Sequence, residues 1–291
     1  MSKKTFQSLP LLELPNSVYN TEGKIYEFSY KRQPKVLKTL YHLDGEIFAN
    51  KLYTLEMLNT YKDYLPNNFY VPDYLISVSN TIVGFTSKKL LGTPLSVLLD
   101  NKKIDCQEKI FYLKQVGFLL EKLKNMRQYT PLEQFYLNDL HASNFVVDSL
   151  NREVGVVDLD SCKIAKNLPF SSRYLTSKSL VTEVPEKYIV AGNETLGEGY
   201  IVANEESDLF CYFMMILNYM YGGNVHRFSL PAFYDYLNYL DSLGVNKEFI
   251  ESCYHLVVPH TNENPLPYLD SLTDEQIYRA NHVVYERVRK K

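Results

Sequence analysis

Glycine and tryptophan are the residues that this chain has least of. Its 291 residues include 12 glycines and no tryptophan, and this glycine share of about 4% compares with about 7% in ordinary proteins. A chain this poor in glycine has little material for an elaborate glycine-rich phosphate-binding loop. Cysteine is sparse as well: the four cysteines stand far apart and form no C-x-x-C pair, which argues against a structural zinc site and against a disulfide framework.

An excess of either charge and a long apolar run are also missing. The 31 Lys and Arg residues nearly balance the 34 Asp and Glu residues, for a net charge of −3, so we expect no nucleic-acid partner. The longest apolar stretch, Leu209 to Leu217, has nine residues, far fewer than the roughly 20 that a membrane helix needs. The first residues lack the apolar region of a signal peptide. We therefore expect no membrane span and a reduced, cytoplasmic location.

Strands are predicted early in the chain and helices later. Alternating apolar segments predict strands at residues 17–19, 24–28, 35–41, 74–78 and 81–86. A helix is predicted to begin after Asp44, because apolar residues then recur at spacings of three and four. After a break at residues 92–94 the pattern becomes helical. This order predicts an α+β fold, with a small antiparallel β-rich lobe at residues 1–89 and a larger helical lobe at residues 90–291.

The segment that carries chemistry runs from Leu137 to Asp160. Two short strands, Phe145–Val147 and Val154–Val157, are predicted to form a hairpin. This hairpin would bring Asn144 close to Asp158, although 14 residues separate them. An amide oxygen and a carboxylate are hard ligands that suit Mg²⁺. Asp139, five residues before Asn144, could orient an attacking hydroxyl, so the segment has the parts that phosphoryl transfer from ATP requires.

These residues resemble the protein-kinase-like superfamily. Asp139-Leu140-x-x-x-Asn144 is similar to the second half of the catalytic loop H-R-D-L-x-x-x-N, and Asp158-Leu159-Asp160 stands where D-F-G would follow. The resemblance implies a bilobal kinase fold and an ATP- and Mg²⁺-dependent phosphotransferase. It implies that Asp139 is the catalytic carboxylate and that Asn144 and Asp158 hold the metal.

The same resemblance extends along the chain in both directions. Val36-Leu37-Lys38 resembles the end of V-A-I-K, which implies that Lys38 binds the nucleotide phosphates and pairs with Glu56 on the predicted helix. Downstream, Asp208 resembles the aspartate that braces the catalytic loop through backbone N–H groups. Pro185-Glu186 is similar to the end of A-P-E.

Nucleotide contacts are expected in two places. The segment from Asn20 to Tyr26 stands where G-x-G-x-x-G-x-V would be, but Gly23 is its one glycine. The adenine ring is expected between the lobes, against the backbone of Lys88, Lys89 and Leu90.

Several departures leave alternatives open. Asn138 replaces the arginine that holds an activation-loop phosphate, and D-L-H-x-x-N, with His141, looks more like aminoglycoside and choline phosphotransferases. Asp160 replaces the glycine of D-F-G, so it could bind a metal, serve the structure or face solvent. The favoured reading is a protein Ser/Thr-type kinase. A small-molecule kinase and a pseudokinase that acts as a binding or scaffold module are the alternatives.

Overall fold

The structure is a computed structural model that describes residues 2–4, 12–13, 23–166, 203–257 and 264–288. Its strands are β1 (Ser2–Lys4), β2 (Leu12–Glu13), β3 (Gly23–Tyr30), β4 (Gln33–Leu40), β5 (Tyr74–Val78), β6 (Thr81–Lys88), β7 (Thr93–Pro94), β8 (Phe145–Asp148) and β9 (Glu153–Val156). Its helices are α1 (Gly45–Tyr61), α2 (Leu95–Asp100), α3 (Cys106–Tyr129), α4 (Glu205–Tyr221), α5 (Leu230–Ser242), α6 (Lys247–Val257), α7 (Leu266–Leu269) and α8 (Asp274–Val288). Strands dominate the first part and helices the rest, which confirms the predicted α+β class.

The N-terminal sheet has the strand order β1-β5-β6-β4-β3-β2. Its pairs are antiparallel, as expected for this lobe, except for β1 and β5, which run parallel at one edge. The β3–β4 hairpin turns at Lys31 and Arg32, which both have positive φ, as a two-residue hairpin loop of type I′ requires. Four of the five predicted strands are confirmed, and residues 17–19 lie outside the described residues.

Strand β4 sends its side chains to opposite faces of this sheet, because successive residues in a strand alternate. Leu40 packs with Leu55 of α1 in one apolar cluster, whereas Leu37 packs with Phe28 and Ile76 in another. Lys38 is two residues from Leu40 and therefore shares the face that α1 covers. Only 4% of Lys38 is exposed, so its ammonium group has to find its partners inside the protein.

Helix α1 connects the small sheet to the larger core. It begins after Asp44, as predicted, although the Asp44 side chain makes no capping hydrogen bond. Leu55 belongs to the small core, while Leu58, one turn later, belongs to the large one. The helix therefore packs against both parts of the molecule.

The chain that follows α1 is hydrogen-bonded to the β8–β9 hairpin. Val156 donates its N–H to Asn68 O (2.8 Å), and Tyr70 donates its N–H to Val156 O (2.9 Å). The Asn68 side chain adds a bond from Nδ2 to Val154 O (2.7 Å). These bonds fix the C-terminal end of α1 relative to the hairpin, and so relative to Asp158, which follows β9.

Helices α3 and α4 form the centre of the large core, and most of the α4 side chains are buried. Asn204 and Ser207 form a capping box at the start of α4, and Gly222 ends the helix with φ of 72°, the left-handed conformation that glycine adopts without strain. Thr273 and Gln276 form a capping box at the start of α8. Helices α5 and α6 occupy a region in which the sequence showed no interpretable motif. Within the described part of the chain, no helix combines the length and the apolar character that crossing a membrane requires.

Candidate active site

The loop that contains Asp139 is held from behind by α4. Leu137 and Asn138 donate their backbone N–H groups to the two carboxylate oxygens of Asp208, both at 2.8 Å. Asp208 is 2% exposed. Burial raises the pKa of its carboxyl group to about 6, although the two N–H groups oppose this shift. The predicted brace is therefore confirmed, and it fixes the backbone immediately before Asp139.

Asp139 and Asn144 face each other across a single turn of the loop. Asn144 donates from Nδ2 to the carbonyl of Asp139 (2.9 Å) and, at 3.5 Å, to its carboxylate. The Asp139 side chain is 26% exposed and its Oδ2 lies 3.4 Å from Nε2 of His141. His141 accepts the Ser143 N–H at Nδ1, so in its neutral form Nε2 carries the proton. His141 thus takes part in the hydrogen bonding of this loop, and Asp139 is partly exposed to solvent.

The predicted hairpin is confirmed, and it brings the two expected metal ligands together. Phe145 pairs with Val156 at the open end of the hairpin, and Val157 donates its N–H to the Asn144 carbonyl (2.9 Å). Asn144 and Asp158 therefore sit at the ends of neighbouring strands. Asp158 has left-handed backbone angles, φ 60° and ψ 42°. This conformation is uncommon for non-glycine residues, and aspartate is among the residue types that adopt it more often than others.

Lys38 reaches Asp158 from the other half of the protein. Its Nζ lies 2.6 Å from Asp158 Oδ1, although 120 residues separate the two in sequence. Burial raises the pKa of Asp158 to about 7; Lys38 opposes this effect and the neighbouring Asp160 adds to it. The fold thus joins Lys38, predicted to bind phosphate, to Asp158, predicted to bind the metal.

Asp160 completes a cluster of four charged side chains, the Lys–Asp cluster, made of Lys38, Lys51, Asp158 and Asp160. Both oxygens of Asp160 lie 3.1 Å from Lys38 Nζ, and Oδ2 lies 2.7 Å from Lys51 Nζ. The Asp160 side chain is fully buried. Burial by itself raises the pKa of Asp160, but the two ammonium groups outweigh it and hold that pKa below its ordinary value. Asp160 is therefore a buried anion between two lysines, and its solvent-facing alternative is wrong.

The predicted ion pair between Lys38 and Glu56 is not formed. Glu56 is exposed on α1, whereas the carboxylates paired with Lys38 are Asp158 and Asp160. Lys51 of α1 does point into the site, where its Nζ contacts Asp160. Five helical steps of 100° place Glu56 about 140° around the helix from Lys51, so the two cannot face the site together.

Sequence reasoning missed Lys51, although a signal for it was present. Lys51 lies among Phe48, Leu52 and Leu55, at spacings that place it on the apolar face of the predicted helix. A lysine at such a position indicates either that the buried face of the helix is wrongly predicted or that the lysine is paired with a buried carboxylate. Here it is 8% exposed and paired with Asp160.

Gly23 is the first residue of β3, opposite Leu40 of β4. A Cβ atom at Gly23 would lie 1.8 Å from the Thr39 carbonyl oxygen, so the close approach of these strands requires glycine there. Its contact with a nucleotide stays a prediction. Residues 20–22 of the predicted phosphate loop, and Pro185-Glu186, lie outside the described residues.

The expected adenine segment follows β6. Lys89 donates its backbone N–H to Pro34 O (3.1 Å) and its Nζ pairs with Glu27 (2.6 Å). These bonds occupy the backbone N–H and the side chain of Lys89, so an adenine contact in this segment would use other backbone groups of Lys88, Lys89 and Leu90. That contact also stays a prediction.

The residues present fit one Mg²⁺ ion that takes further ligands from phosphate and water. Asp158 is the most exposed member of the Lys–Asp cluster, with 30% of its side chain accessible, and Asn144 directs its Nδ2 to Asp139, which leaves the amide oxygen as its possible ligand. Within the described residues no three His, Cys, Asp or Glu side chains gather as a metal site. Mg²⁺ in nucleotide sites needs only one or two protein oxygens, so this finding is compatible with such an ion.

A cavity of about 400 Å³ lies elsewhere, between α3, α4 and α7. Its walls include Arg127, Glu205 and the braced side of Asp208. Arg127 and Glu205 bond each other across it at 3.0 Å. Because Asp139, Asp158 and Lys38 do not line this cavity, it is separate from the cluster described above.

Comparison of the sequence with models of protein families gives no match, and comparison with curated proteins gives none either. What the protein does therefore has to be argued from its own residues and their geometry.

Proposed function

We propose that this protein is an ATP- and Mg²⁺-dependent phosphotransferase of the protein-kinase-like superfamily. The observation that carries the proposal is the convergence of Lys38, Asp139, Asn144 and Asp158 from separate segments, with Lys38 Nζ 2.6 Å from Asp158 and Asn144 bonded to Asp139. They supply a cation for the phosphates, a carboxylate for the acceptor and two oxygen ligands that suit Mg²⁺, which is the set of groups that phosphoryl transfer requires. The Asp208 brace supports the same reading, since it holds the backbone beside Asp139 rigid.

Each side chain has a distinct part in the proposed reaction. Lys38 holds the phosphates of the nucleotide, and Asn144 and Asp158 hold Mg²⁺, which supplies charge stabilisation to the transferring group. Asp139 accepts the hydrogen bond of the acceptor hydroxyl and orients its oxygen towards the terminal phosphate. The acceptor proton passes to the Asp139 carboxylate as the new O–P bond forms, the bond between the terminal phosphorus and its bridging oxygen breaks, and ADP leaves.

The acceptor is a hydroxyl group, and two classes of molecule could carry it. A protein Ser or Thr is favoured by the Asp208 brace, although the Lys38–Glu56 pair that also favoured it is not formed. A small-molecule hydroxyl is favoured by His141, whose Nε2 lies 3.4 Å from Asp139 Oδ2. Screening Ser/Thr peptides against aminoglycosides and choline, with radiolabelled ATP, separates the two classes.

Thermal unfolding with ATP, with and without Mg²⁺, tests nucleotide binding. A ligand at 100 times its Kd stabilises the folded state by about 2.7 kcal/mol, on the order of 5 °C for a chain of this size. We expect this shift to require Mg²⁺ and to be lost in Asp158→Asn. Asp63→Asn, the same change at an exposed position, is the matched control. The absence of any Mg²⁺-dependent shift in the wild-type protein would refute the proposal that it is an ATP- and Mg²⁺-dependent enzyme.

ATP turnover tests catalysis separately from binding. Asp139→Asn should keep the Mg²⁺-dependent thermal shift and lower ATP hydrolysis or autophosphorylation by about 10²- to 10⁴-fold, the usual contribution of a positioned acid–base group. An unchanged rate would remove Asp139 from the mechanism. Binding without measurable turnover in the wild-type protein would instead indicate a pseudokinase.

A further inference from the structure

Lys38 must be held in place if it is to bind phosphate, and the Lys–Asp cluster shows what holds it. Asp160 contacts Lys38 Nζ with both oxygens, whereas Glu56 is exposed on α1. We propose that Asp160, itself fixed by Lys51, is the residue that positions Lys38 for the nucleotide. This role rests on the function proposed above. It goes beyond that function, because it assigns the positioning of Lys38 to a carboxylate from the loop after β9 and not to the expected Glu56 of α1.

Burial explains why Asp160 needs two lysines. Its side chain is fully buried, and Lys38 and Lys51 are 4% and 8% exposed. An unpaired charge in such surroundings is costly, while a paired and hydrogen-bonded one is tolerated. When both carboxylates are ionised, the two negative charges of Asp158 and Asp160 match the two positive charges of Lys38 and Lys51 within these four side chains. Lys51 therefore supplies the charge that allows Asp160 to be an anion next to Lys38.

The position of Asp160 links the phosphate-binding lysine directly to the metal ligand. Asp160 is two residues after Asp158, in the short turn Leu159–Ser161, and α1 contacts this turn. Lys51 thus ties α1 to the loop that also carries Asp158. A change at Lys51 would therefore disturb Lys38 through Asp160, and Glu56 would take no part in this effect.

The test compares four variants in two measurements. The variants are Lys51→Met, the double variant Lys51→Met/Asp160→Asn, Glu56→Gln and Lys62→Met. The last two are matched controls, since Glu56 and Lys62 are exposed. The first measurement is the urea midpoint of the protein without nucleotide, and the second is the Kd for ATP with Mg²⁺, obtained by calorimetry.

Lys51→Met should lower the urea midpoint and weaken ATP binding about tenfold or more, because Asp160 keeps one cation instead of two. The double variant restores neutrality and should recover much of the midpoint. Its ATP binding should stay weak, because Lys38 no longer has its anchor. Both controls should behave as the wild-type protein.

Three results would overturn the role of Asp160. They are wild-type affinity in Lys51→Met, recovery of both the midpoint and the affinity in the double variant, and a tenfold loss of affinity in Glu56→Gln. The second result would show that Lys51 and Asp160 only stabilise the fold. The third would show that Glu56 positions Lys38. If Lys51→Met does not fold, the double variant carries the test. An absence of ATP binding by the wild-type protein removes the proposed function itself, and the role of Asp160 with it.

Discussion

The brace at Asp208 makes a specific prediction about the pH dependence of stability. Asp208 is 2% exposed, and burial raises its pKa from 3.8 to about 6. Its folded pKa is therefore above its unfolded value, so its contribution to stability is greatest below about pH 4 and is lost as the pH rises through about 6. A shift of about two units at 1.36 kcal/mol each gives roughly 3 kcal/mol across this window.

The comparison of wild type with Asp208→Asn isolates this contribution, because the amide does not titrate. Free energies of unfolding from urea titrations between pH 4 and pH 7 should show the wild-type protein losing about 2.4 kcal/mol relative to the variant as the pH rises, since part of the full effect is already lost at pH 4. Arg127 and Glu205, the charged groups nearest to Asp208, remain in both proteins, so their effects largely cancel.

A difference that stays constant from pH 4 to pH 7 would refute the reasoning. So would a difference of opposite sign, with the wild-type protein gaining stability as the pH rises. That result would mean that the N–H groups of Leu137 and Asn138, which favour the carboxylate, outweigh the cost of burying it.

Three further predictions concern stability and accessibility. Gly23→Ala should cost at least about 1–3 kcal/mol in urea unfolding, because the new Cβ would overlap the backbone carbonyl of the next strand; an unchanged midpoint would contradict the strand spacing. Asp105→Ala should cost about 1 kcal/mol, because Asp105 caps α3 by accepting the Glu108 N–H at 2.7 Å, and a cost near zero in the same assay would contradict the cap. Of the four thiols, Cys106 alone is not fully buried, so one thiol should react with a thiol reagent in the native protein and four in urea. Rapid reaction of all four thiols in the native protein would contradict the packing of the large core.

Much of the fold could be predicted because its signals are local. The β8–β9 hairpin follows from two apolar strands around Asp148–Arg152, and the start of α8 follows from the capping box at Thr273. The closeness of the Asp139 loop to Asp158 is also a local feature, because a short hairpin brings the two ends of its strands together. The parallel pairing of β1 with β5 could not be predicted, because the paired positions are 72 residues apart in sequence and no local pattern specifies such a contact.

The sequence by itself determined the loop around Asp139, the hairpin and the presence of a lysine on β4. The tertiary structure decided which carboxylate holds that lysine. The spacing of Lys38 and Glu56 fitted a pair, but it does not specify how α1 is rotated about its axis. That rotation is set by the burial of Leu55 and Leu58, and it turns Lys51 inward and Glu56 outward. Once Lys51 is buried it needs an anion, and Asp160 can meet that need and hold Lys38 at the same time.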